Sequence, residues 1–110
     1  MPETTETPVL DLLTSMTAAS LEATTLDPET LMLVRIAALV AVDAPPVSYL
    51  MNLGAAGEAG VDEEKVKAVF AAVAPIVGTT KVVSATGKIV RALGLALELE
   101  ELEEETAPVR

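Results

Sequence analysis

The chain has 110 residues, of which 51% are hydrophobic, and it carries a net charge of −10 with neither cysteine nor histidine. A length of this order predicts one domain, and the apolar content excludes a wholly disordered chain. The acidic balance argues against nucleic acid and anionic membrane surfaces, which clustered Lys and Arg bind, while the missing residue types exclude disulfides, thiolate chemistry and histidine-based acid–base or metal chemistry.

Residues 1–8, MPETTETP, have nothing to bury and read as a disordered N-terminus unlike a signal peptide. From Val9 to about Ala23, Leu10, Leu13, Met16 and Leu21 set a weak helical stripe. Asp27-Pro28 then marks a helix start, with an N-cap acid, proline at the first helical position and Glu29 in the first turn. This helix should run to about Val42, and its nearly all-round apolar character predicts a central, buried position. Its run LMLVRIAALVAV is too short to span a bilayer and carries Arg35, so the reading is a cytoplasmic protein without membrane contact.

Asp43, Ala44, Pro45 and Pro46 end that helix, and the next covers about Val47 to Ala59, with Val47, Leu50, Met51 and Gly54 at helical spacing. The interior glycines of GAAGEAG, 54–60, cost roughly 1 kcal/mol each against Ala, which points to another backbone lying close. Gly60 is expected as a left-handed cap. VDEEKV opens a fourth helix: Asp62 caps, Glu63 and Glu64 fill the first turn, and Val61 staples to Val66. Val66, Val69, Phe70, Val73 and Val77 form its buried stripe, Pro75 loosens its last turn and Gly78 ends it.

Thr79 or Thr80 caps a fifth helix, whose Val82, Val83, Thr86, Ile89, Val90 and Leu93 are expected to face inward. Lys81, Lys88 and Arg91 read as a solvated face, and Gly94 as a stop or a bend. In LALELEELEEE, 95–105, glutamates at a helix C-terminus oppose the macrodipole, so this segment is either a solvated extension or docks on a basic neighbour. The division is therefore a disordered N-terminus at 1–8, one helical domain at 9–94 and an acidic helix or tail at 95–110, in an all-α fold. With only Tyr49 and Phe70 as aromatics, small aliphatics must build the core, and other subunits are expected to complete its burial.

The stretches LDPETLMLVRIAALVAV, EAGVDEEKVKAVF and APIVGTTKVVSA resemble the carboxymuconolactone decarboxylase and alkyl hydroperoxidase D-like family, over about residues 26–93. The resemblance implies an alkyl hydroperoxidase D-like helical bundle that assembles as a homo-oligomer, a trimer or a hexamer. Thiol-active members carry Cys-x-x-Cys with a histidine four residues on. Anchored on Glu58-Ala59-Gly60, the family's cysteines fall at Pro45 and Ser48, its histidine at Asn52 and its relay glutamate at Leu33. Each of these redox groups is replaced here. Thiol chemistry needs a thiolate, and Ser48 would attack only if a base activated it.

No catalytic residue, metal site or cofactor is assigned. The candidate ligand-binding residues are Arg35, Ser48, Asn52 and Tyr49. Arg35 is the sole charge between Glu29 and Asp43, on a helix expected to be buried, so it needs an acidic partner (Asp43, Glu58 or one on a neighbouring subunit), a route to solvent, or an anionic ligand. Ser48 and Asn52 share a helix face at i and i+4, and Tyr49 is either a pocket lid or an interface residue. Three functions remain open: a non-redox oligomeric binding or scaffold protein for a small apolar or carboxylate ligand, a cysteine-independent lyase or isomerase acting on a small carboxylate, and an interaction protein using its acidic tail.

Overall fold

Three prolines and two aspartates set the helix starts. Pro8, Pro28 and Pro46 each occupy a first helical position, where a missing N–H costs nothing. Asp27 accepts from the Thr30 N–H at 3.3 Å and Asp62 from the Lys65 N–H at 2.9 Å, both as N-caps. The computed structural model describes residues 7–106, without the side chains of residues 96, 100 and 103–106. These residues form helices α1 Pro8–Ala23, α2 Pro28–Ala41, α3 Pro46–Glu58, α4 Glu63–Val77 and α5 Thr79–Thr106. Expectations for residues 1–6 and 107–110 lie outside the described residues.

Left-handed residues make the turns. Asp43 has φ +52° after α2, Gly60 +93° after α3 and Gly78 +90° after α4. Glycine adopts this conformation freely, whereas Asp43 is held in it by contacts described below. Pro75 sits inside α4 without ending it, and Gly78 does so instead, three residues later.

α2 packs on α3, α4 and α5, and α5 also packs on α3 and α4. The core has two parts. Val40, Ala44, Tyr49, Ala85 and Ala92 form one beneath α5, while Met32, Ile36, Ala56 and Val61 form the other towards α4. Phe70 touches both. Val66 packs against the cluster holding Val61, as the expected staple requires.

Four expectations need correction. The inward face of α5 is Val82, Ala85, Ile89 and Ala92, and Val83, Thr86, Val90 and Leu93 are exposed. The two alanines allow close helix approach, so bulky residues at the boundary turn outward. Gly54 and Gly57 meet nothing within 4 Å of an added Cβ, so no backbone among the described residues abuts them. α2 is central but not buried all round, since Val34 is 52% exposed. Gly94 neither stops nor ends α5, which continues through it into the acidic segment.

α1 stands apart. No Cα of it lies within 8 Å of a Cα in another helix, and none of its residues is buried. Its Leu13 and Leu21 nevertheless look towards α2 and α3 across a gap, which they help to line.

Candidate functional site

The gap beneath α1 is a cavity of about 430 Å³. α1 contributes Leu13, Thr17 and Leu21, α2 contributes Met32 and Arg35, and α3 contributes Met51, Asn52 and Ala55. The stagger follows from helix periodicity: Met32 and Arg35 are three apart on α2, and Met51 and Ala55 four apart on α3. Arg35 is the sole charged residue lining the cavity, in a chain with 17 Asp and Glu.

Arg35 is half-buried, and one Nη donates to the Ser20 hydroxyl at 3.0 Å. No carboxylate among the described residues pairs with it; the four ion pairs are Lys65–Glu29, Lys67 with Glu63 and Glu64, and Lys88–Asp43. The acids expected as its partners are not available to it: Lys88 takes Asp43, and Glu58 is exposed. A guanidinium has five N–H donors in a fixed fork, so one hydroxyl leaves most of them to a ligand. Asn52 donates one Nδ2 hydrogen to the Ser48 carbonyl at 2.7 Å, which leaves its carbonyl oxygen and second amide hydrogen. The arrangement can bind and orient an anion. The described lining of the cavity has no Asp, Glu, His, Cys, Lys or Tyr.

Of the four candidate residues, the structure therefore brings Arg35 and Asn52 to one cavity. Ser48 is half-buried and approaches it only through its backbone, as acceptor for Asn52. Tyr49 is fully buried in the core, neither lid nor surface residue. Its hydroxyl has no hydrogen-bond partner among the described residues, and burial, reinforced by the nearby Asp43 charge, pushes its pKa up. An aromatic beside a turn reads in sequence as an interface residue, but a chain this poor in large side chains places its one tyrosine inside.

A second polar group closes the far end of α2. Lys81 Nζ donates to the Ala41 carbonyl at 3.0 Å and Lys88 Nζ to the Asp43 carbonyl at 3.1 Å. Asp43 Oδ1 accepts from Lys88 at 2.8 Å and from the Ser84 hydroxyl at 2.7 Å. These bonds, Lys88 first and Ser84 next, hold the Asp43 carboxyl below its ordinary pKa. The lysines read from sequence as a solvated face are thus caps on a helix C-terminus, where positive charge is favourable.

The chain matches the model of the Carboxymuconolactone decarboxylase family over residues 7–89. It belongs to that family. The match takes in α1, which lay outside the stretch recognised by motif, and runs through to Ile89 on α5. Neither curated proteins nor solved structures give a match.

The four positions where the family's redox groups fall are not all at the cavity. Asn52 lines it. Pro45 is exposed at the start of α3. Leu33 faces the other side of α2, packed towards α4 beside Glu29 and Lys65. Sequence reasoning missed the cavity's apolar walls, Met32, Met51, Ala55 and the α1 residues. The signal was present in the stripe Leu13, Met16, Leu21, an apolar face with too little to bury it. Among the described residues, no His, Cys, Asp or Glu group could hold a metal ion, and no helix is long and apolar enough to cross a membrane.

Proposed function

We propose that this family member works without thiol redox chemistry and binds a small carboxylate in the cavity between α1, α2 and α3, anchored by Arg35 with Asn52 beside it. The observation that carries this reading is Arg35, a half-buried residue whose guanidinium has no carboxylate partner among the described residues, in a cavity whose described lining holds no acid. In so acidic a chain, that distribution favours an anion supplied from outside. A charge-assisted contact of this kind contributes about 1.5–3 kcal/mol. The binding role is preferred to a lyase or isomerase because the described lining has no Asp, Glu, His, Cys, Lys or Tyr to serve as acid or base.

The functional unit we propose is a homo-oligomer, a trimer or a hexamer. The chain exposes 8050 Å², against about 5,800 Å² for a compact monomer of its mass. Val83, Val90 and Leu97 lie seven residues apart on the outer face of α5, with Leu93 between them, and all are more than half exposed. That is the spacing of a helix seam seeking a partner.

A thermal-shift screen of small carboxylates and their neutral amides tests the ligand reading. Carboxylates should raise the melting temperature and the amides should not. Arg35→Lys, which keeps the charge and loses the fork, should weaken binding about tenfold. Equal effects of acid and amide, or full binding by Arg35→Met, would contradict the reading.

A further inference from the structure

The cavity beneath α1 is one limb of a longer groove. It shares Arg35 and Asn52 with a second hollow, which continues to Leu39. At the other end it shares Leu21, Met32 and Ala55 with a third hollow, which continues to Pro28. At 1.5 Å per residue, the stretch of α2 from Pro28 to Leu39 is about 16 Å long, with Arg35 about 10 Å from its Pro28 end.

The two limbs differ in length and in the number of polar side chains. The short limb beyond Arg35 has Thr17, Ser20 and Asn52 beside Leu13, Met16, Ala38 and Leu39. The long limb is walled by Leu21, Leu26, Leu31, Met32 and Ala55, with Thr24 as its sole polar side chain. Asp, Glu and Lys are absent from all three hollows. A largely apolar groove with one cation, about two thirds of the way from Pro28 to Leu39, suits a molecule whose anionic head meets Arg35 and whose aliphatic tail follows the longer limb.

Resting on the carboxylate reading above, we propose that the ligand is a linear aliphatic monocarboxylate of roughly six to ten carbons, the length that the 10 Å limb holds. Its head group sits on the Arg35 guanidinium, displacing Ser20, and its tail lies along α2 towards Pro28 under α1. α1 is the roof of this site. Its Leu21, 52% exposed and lining both the cavity and the long limb, gains an apolar neighbour from the tail.

The test is calorimetric titration of the full chain with linear carboxylates from butanoate to dodecanoate, below their micellar concentrations. Cyclohexanecarboxylate and octanol serve as controls. Affinity should rise about two- to fourfold per added carbon and level off near eight to ten carbons, by the estimate of groove length. Octanol should bind at least tenfold more weakly than octanoate. Ala55→Phe should narrow the long limb and cost octanoate about tenfold. Leu21→Asp places an acid in the same limb from an exposed position on α1, and should weaken octanoate without disturbing α2 or α3. If cyclohexanecarboxylate binds through Arg35 but affinity is flat with chain length, the linear-ligand inference fails and the carboxylate site stands. If octanol equals octanoate, or no carboxylate binds, both fail.

Discussion

At the scale of single residues, three side chains carry the account. Arg35 was conspicuous in sequence as a lone charge on an apolar helix, and the need for a partner followed from its chemistry. That the partner is a serine hydroxyl on α1 was not legible, because Ser20 lies 15 residues away on a helix with weak patterning. Arg35→Met tests whether the charge is structural. Since no acid among the described residues would be stranded, the empty variant should be as stable as the parent, within about 0.5 kcal/mol. Urea denaturation measures this, and a loss of 3 kcal/mol or more, the cost typical of a broken buried ion pair, would show a hidden partner. Tyr49 holds a buried hydroxyl with no hydrogen-bond partner among the described residues. Tyr49→Phe should therefore stabilise the fold by about 1 kcal/mol, whereas Tyr49→Ala should cost about 3–5 kcal/mol through the cavity it leaves. Asp43 supplies a pH dependence. Its folded pKa is lowered by Lys88 and Ser84, so its contribution is present above the ordinary carboxylate value of about 4 and is lost as pH falls through the lower folded value. The melting temperature of the parent should fall more steeply below about pH 4 than that of Asp43→Asn, which tolerates the left-handed backbone but carries no charge. Parallel curves would mean that the Lys88 contact contributes nothing.

Helices were legible where local chemistry decides them. The Asp27-Pro28 start, the Asp62 cap and the Gly60 and Gly78 ends follow from capping and turn rules that need no tertiary partner. What sequence periodicity could not settle was which of two apolar stripes on α5 faces the chain's own core. Val82, Ala85, Ile89, Ala92 and Val83, Val90, Leu93, Leu97 both have helical spacing; the alanine-bearing one wins inside because small residues let α2 and α3 come close. The same ambiguity affects α3. Gly54 and Gly57 looked like a backbone crossing, yet an added Cβ at either meets nothing among the described residues. Gly54→Ala and Gly57→Ala should each stabilise α3 by about 0.4–1 kcal/mol, since alanine restricts the unfolded chain and favours the helix. A drop in stability that steepens with dilution would instead locate a second chain at those positions. α1 is the element least determined by its own sequence: its stripe predicts burial, and the fold provides a groove.

The molecule as a whole is more extended than its length requires. Its radius of gyration is 16.3 Å, against about 13 Å for a compact chain of this size, and much of its aliphatic surface is on α1 and the outer face of α5. Light scattering at micromolar concentration should give several times the 11.4 kDa chain mass. Val90→Glu, at the middle of the α5 seam, should shift that mass towards the monomer while leaving the helical circular dichroism unchanged. The anion site and the assembly are separable by this variant, because Val90 does not line the groove. The claim on which the rest depends is that the Arg35 guanidinium receives an external carboxylate. Arginine side-chain nitrogen NMR tests it most directly, since Arg35 is one of three arginines and the others, Arg91 and Arg110, lie elsewhere in the sequence. On titration with octanoate, the Arg35 Nε–H signal should shift saturably while that of Arg91 stays in place. An Arg35 signal that does not move, or one that moves no more than that of Arg91, would contradict the account.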